Sequence, residues 1–123
     1  MTPGGGAAVT DEKRRHTRVS EKRYAALRVV DDGVVIDDQG FCVMIDISLG
    51  GCRLRTSVRP EVGATVEADI GFGEDVRTFP GIVRNTRTGE GRSHEIGIEF
   101  IDMTTESAGF IRDLVNEQDT QQA

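Results

Sequence analysis

Apolar and polar residues alternate with a period of two along most of this chain, in short runs separated by turn-forming residues. That period places successive side chains on opposite faces of a β-strand. The first run is Ala25 to Val30, closed by Asp31-Asp32-Gly33. The second is Phe41 to Ser48. It reads with Phe41, Val43, Ile45 and Ile47 on the apolar face and Cys42, Met44, Asp46 and Ser48 on the other. A turn at Leu49-Gly50 leads to a third run, Gly51 to Ser57, ended by Arg59-Pro60-Glu61-Val62-Gly63. The fourth run alternates most cleanly: Val66, Ala68, Ile70 and Phe72 point inward, and Thr65, Glu67, Asp69 and Gly71 point out. The fifth, Val76 to Arg87, is interrupted by Pro80-Gly81, which predicts a sheet edge or a bulge. The sixth, His94 to Met103, puts Ile96, Ile98 and Phe100 on one face. Many short strands with regular turn signals predict an all-β barrel or sandwich. The period then changes. Thr104 or Thr105 is a candidate helix cap. Phe110, Ile111, Leu114 and Val115 recur at helical spacing and form a stripe that should cover an open end or face of the barrel.

The length, 123 residues, suits one domain. Residues 1–11 are small and Gly-rich and read as a flexible leader. Residues 12–116 carry the domain, and the polar residues 117–123 read as a flexible tail. The N-terminus has no charged start followed by an apolar stretch, so no secretory signal is expected. No run of about 18 apolar residues predicts a membrane span. A cytoplasmic location follows by default. Cys42 and Cys52 make no disulfide framework. With a two-residue turn at Leu49-Gly50, facing residues sum to 99, so the two cysteines do not oppose each other. Two Cys and two His without ligand spacing give no metal site. No Ser/His/Asp or Cys/His set has a persuasive placement, so neither an enzyme nor a cofactor is expected. The acidic pairs Asp31-Asp32 and Asp37-Asp38 flank turns and read as solvated loop residues.

Charge changes the picture more. The net charge is −6, yet residues 11–23 hold six basic residues against three acidic ones, a local +3 that leaves −9 elsewhere. One basic island in an acidic chain fits a small anionic ligand better than a nucleic-acid polymer. The island contains Arg14-x-x-x-Arg18. Guanidinium groups grip phosphate bidentately, meet the O6/N7 edge of guanine and stack on bases. A second piece, Asp46-x-Ser48-x-x-Gly51, spans a strand, a turn and the next strand. Asp46 points outward, and its carboxylate matches a pair of N–H donors such as those of guanine's Watson–Crick edge. Ser48 adds a hydroxyl, and Gly51 leaves room for a ligand or another backbone. Taken singly, each piece also has an ordinary reading, as a solvated charge run and as a self-satisfied turn. Arg53 and Arg55 alternate out of the third run, either widening the positive field or forming a solvated strand face.

Together the two pieces resemble the PilZ domain family. Arg14-Arg15-His16-Thr17-Arg18 fits its R-x-x-x-R signature, and Asp46-Ile47-Ser48-Leu49-Gly50-Gly51 fits its [D/N]-x-S-x-x-G signature. Glu95 to Met103, followed by a helix, is similar to the family's last strand and C-terminal helix. The resemblance covers roughly residues 12–116. It implies a six-stranded Greek-key β-barrel with a C-terminal α-helix that binds cyclic di-GMP (c-di-GMP) as a second-messenger receptor and signals to a partner protein. It assigns ligand contacts to Arg14, Arg18, Asp46, Ser48 and Gly51, with Arg15 as an extra contact. In this family the residue before the first motif Arg bears on ligand stoichiometry, and the cation Lys13 leans towards two stacked molecules. The alternative implied is a PilZ-like adaptor that binds protein partners without nucleotide.

Overall fold

The computed structural model describes residues 22–89 and 91–122. In chain order it forms β1 (Arg23–Asp31), β2 (Val34–Ile47), β3 (Gly51–Thr56), β4 (Thr65–Phe72), β5 (Asp75–Thr88), β6 (His94–Phe100) and α1 (Thr105–Gln122). The strands pair antiparallel and close into a six-stranded barrel in the order β1-β2-β3-β6-β5-β4. Tight turns join β4, β5 and β6, while β3 lies beside β6, which is the Greek-key arrangement. The β1–β2 turn is Asp32-Gly33, with both residues at positive φ (54° and 80°). A two-residue turn of that conformation matches strand twist, and Asp-Gly tolerates it.

The barrel is filled from both strand parities. Leu27, Met44, Ile47, Leu54, Val66, Ala68, Ile70, Phe79, Val83 and Ile96 are fully buried. Each large side chain among them contributes about 1.5–3 kcal/mol by leaving water. The helix closes one end. Thr104 caps it, its Oγ1 accepting from the Ser107 N–H at 3.0 Å. Ile111 is fully buried, and Phe110, Leu114 and Val115 pack on the core, as the stripe predicts. The Phe110 ring meets Phe72 edge-on at 4.8 Å. The guanidinium groups of Arg23 and Arg77 lie over Phe72 and Phe110 at 4.8 and 4.2 Å and cover this aromatic end. The helix continues through Gln122, past the end of its apolar stripe.

β2 corrects the expected facing. Cys42 and Met44 are core residues, and Phe41 is 89% exposed. The pairing shows why. Met44 faces Leu54, and Asp46 faces Arg53, so Ile45 is an extra residue in a bulge. The bulge reverses parity, bringing Ile47 inward and leaving Asp46 outward. Strict alternation carried back through Ile45 assigns every earlier residue to the wrong face. β2 also starts earlier than its apolar run. Asp37 and Asp38 do not flank a turn; they pair with Val29 and Arg28 inside the strand.

Pro80 does not mark the bulge but stands at a local edge, since residues 75–80 of β5 pair with β4 alone and the β5–β6 pairing begins at Gly81. β5 is continuous, and its register shift falls at Arg84, between Val83 and Asn85. The Pro80 carbonyl accepts from the Ile101 N–H at 3.0 Å. The N and O of one strand residue point the same way, so the missing donor of Pro80 faces the point where β6 has ended.

Candidate ligand-binding site

The Asp46-x-Ser48-x-x-Gly51 piece lies across the β2–β3 turn. Ser48 and Gly51 close that turn by reciprocal backbone hydrogen bonds, Ser48 N–H to Gly51 O at 2.8 Å and Gly51 N–H to Ser48 O at 3.3 Å. Ser48 is 1% exposed. Its Oγ accepts from the Gly50 N–H at 3.3 Å and donates to the Gly51 carbonyl at 3.4 Å. The hydroxyl thus holds the turn, and it does not project beside Asp46 as strand alternation suggests. Gly51 answers to a backbone. A Cβ there would meet the Ile98 carbonyl oxygen at 2.0 Å. Only glycine lets β3 lie this close to β6. Asp46 is half-buried on the outer face, in register with Arg53.

Beside the turn opens a cleft of about 300 Å³, lined by Ser48, Gly50, Gly51, Arg53, Arg84, Asn85, Gly97 and Glu99 among others. Three of its lining residues, Gly50, Gly51 and Gly97, carry no side chain. At Gly97 the place of a Cβ is taken by the Asn85 amide, whose Oδ1 would lie 2.7 Å away. Arg84, at the β5 bulge, donates from Nε to Glu99 Oε1. Arg55 belongs elsewhere: it reaches Glu95 at 3.4 Å, and Arg87 binds the same carboxylate at 2.7 Å. Hydrogen bonding from Arg87 first, and from Arg55, holds the Glu95 carboxyl below the usual range. Of the two outward arginines of β3, Arg53 is therefore the one at the cleft.

Asp46, Ser48 and Gly51 are brought together around one turn. Arg14, Arg15 and Arg18 lie outside the described residues. Arg84, Asn85 and Glu99 were not singled out from sequence, because each reads there as an ordinary strand position. Only the β5 bulge and the β3–β6 pairing bring them to the turn. No group of three or more His, Cys, Asp or Glu residues arranged to hold a metal occurs among the described residues. No described helix is long and apolar enough to cross a membrane.

A family model described as PilZ domain matches residues 12–117. No curated protein matches in sequence. Among solved structures, the PilZ domain with c-di-GMP of YcgR from Escherichia coli superposes with a TM-score of 0.64 at 13% identity, covering 89% of this chain and 93% of that one. The K. pneumonia MrkH–c-di-GMP complex gives 0.66 at 19% identity, covering 88% of this chain and 53% of that one. The Bacillus subtilis inhibitor of motility MotI/DgrA gives 0.69 at 12% identity, with 88% and 52% coverage. This chain thus spans about half the length of the latter two. At such identities the likeness is one of fold.

Proposed function

Because the chain belongs to the PilZ domain family, we propose that it is a receptor for c-di-GMP whose ligand sits against the β2–β3 turn. The observation that carries this reading is the outward Asp46 in register with Arg53, which with Arg84 lines an open cleft at the β2–β3 turn. The structures of YcgR and MrkH with c-di-GMP support the choice of ligand. In this reading the Asp46 carboxylate accepts from two N–H donors of a guanine. Arg14 and Arg18 bind phosphate and the O6/N7 edge, and Arg15 adds a contact. Ser48 and Gly51 act by shaping the turn and keeping its floor low. No catalytic step, cofactor or metal enters.

Binding through Arg14 and Arg18 ties the segment that carries them to the barrel. The combined surface then differs between ligand-bound and ligand-free forms, and a partner protein that favours one form receives the signal. Lys13 before the first arginine favours two stacked ligand molecules. The reading places the receptor in the cytoplasm. A thermal-shift titration tests it. A ligand that binds only the folded state raises the melting temperature with concentration. A rise with c-di-GMP and none with GMP or GTP is expected. No shift in a cooperatively melting sample overturns the reading.

A further inference from the structure

The two signatures leave the far wall of the cleft unassigned. That wall carries Arg84 from β5 and Glu99 from β6, opposite Arg53 on β3. The bulge between Val83 and Asn85 sets Arg84 outside the barrel, where its side chain is 53% exposed. Its Nε is engaged by Glu99, which is itself 54% exposed. An ion pair so open to water is weakly held. A phosphodiester offers the same guanidinium a charge-assisted contact in a partly enclosed cleft, and that contact is stronger. Gly50, Gly51 and Gly97 line the cleft together with Arg53 and Arg84, and the Asn85 amide lies over Gly97, so a hydrogen-bonding side chain stands beside the two arginines.

We infer that Arg84 is a ligand-binding residue, held by Glu99 in the ligand-free barrel and exchanged onto a phosphate of the bound nucleotide, with Arg53 on the opposite wall. This inference rests on the c-di-GMP reading and deepens it. It makes the barrel contribute its own cations to the site, beyond the arginines at positions 14, 15 and 18. It also gives Glu99 a role as a competitor whose displacement accompanies binding.

Calorimetric titration of c-di-GMP into the full chain and two variants separates the possibilities. Arg84→Ala should raise Kd by about tenfold or more, as expected for loss of a charged hydrogen bond. Its melting temperature should stay near that of the wild type, because an exposed ion pair contributes little to stability. If it melts early, Arg84→Gln replaces it, with the same expected loss. Glu99→Gln frees Arg84 and should lower Kd by roughly twofold. Wild-type binding with an unchanged Kd in Arg84→Ala overturns this inference and leaves the c-di-GMP reading standing. A Glu99→Gln variant that binds as weakly as Arg84→Ala overturns the exchange. Absence of binding by the wild type overturns the parent reading itself.

Discussion

Gly51 lies directly against the carbonyl of Ile98, so close that a Cβ on Gly51 would fall 2.0 Å from that oxygen. The glycine of the turn is therefore a contact between two strands before it is anything to a ligand. Gly51→Ala must push β3 from β6 and should cost roughly 1–3 kcal/mol or more, the range for overpacking. Urea unfolding checks this. Stability equal to wild type would mean that the two strands part without strain.

The β2 bulge makes a second prediction. Met44 is fully buried and Phe41 is 89% exposed. Met44→Ala should cost about 2–5 kcal/mol. Phe41→Ala should change stability by only about 0.5 kcal/mol, as surface substitutions do. The reverse order in denaturant melts would remove the extra residue at Ile45 and restore strict alternation.

Acid should weaken the barrel through the β1–β4 contact. Arg28 hydrogen-bonds Asp69 through two nitrogens and reaches Glu67 at 3.1 Å. The Arg28 hydrogen bond, helped by Thr78, holds the Asp69 carboxyl below its usual range. A depressed carboxyl binds its proton more readily in the unfolded chain. Its stabilisation is thus complete above the unfolded value of about 3.9 and is lost as pH falls through the folded value. The denaturation midpoint should drop below about pH 4, and Arg28→Ala should flatten that drop. An unchanged acid limb in Arg28→Ala would assign the pH dependence to other carboxylates.

The two cysteines should behave as core residues. Cys42 and Cys52 are in no disulfide and are buried, 6% and 3% exposed. Burial pushes the Cys42 thiol up to about 11, so little thiolate exists near neutrality. An aromatic disulfide reagent at neutral pH should react slowly with the native chain and at once with both thiols after unfolding. Rapid reaction of the native protein would contradict their placement.

These outcomes follow the line between what the sequence made legible and what it did not. β4 was legible because Val66, Ala68 and Ile70 alternate without interruption against the core. The helix was legible because Thr104, Phe110, Ile111, Leu114 and Val115 combine a cap with a stripe. β2 was not, because Phe41 and Val43 outrank Cys42 and Met44 in apolarity while a single bulged residue reverses their faces. Pro80 was half legible: it stands at a local edge, where its missing donor has no partner strand to face, and the bulge lies further on at Arg84. At the site, the turn residues were visible as a motif, and the opposite wall was not. Arg84 and Glu99 are 15 residues apart, and only the β5–β6 pairing joins them.

We propose that c-di-GMP binds this chain through a site completed by Arg14 and Arg18. Isothermal titration of c-di-GMP into the wild type and into Arg14→Ala and Arg18→Ala tests it most directly. Saturable heat is expected with the wild type, and a loss of more than about 1.5 kcal/mol in each variant, as charged hydrogen bonds require. A folded wild type that gives no heat would rule out c-di-GMP as the ligand, and variants that bind as tightly as it does would remove Arg14 and Arg18 from the site.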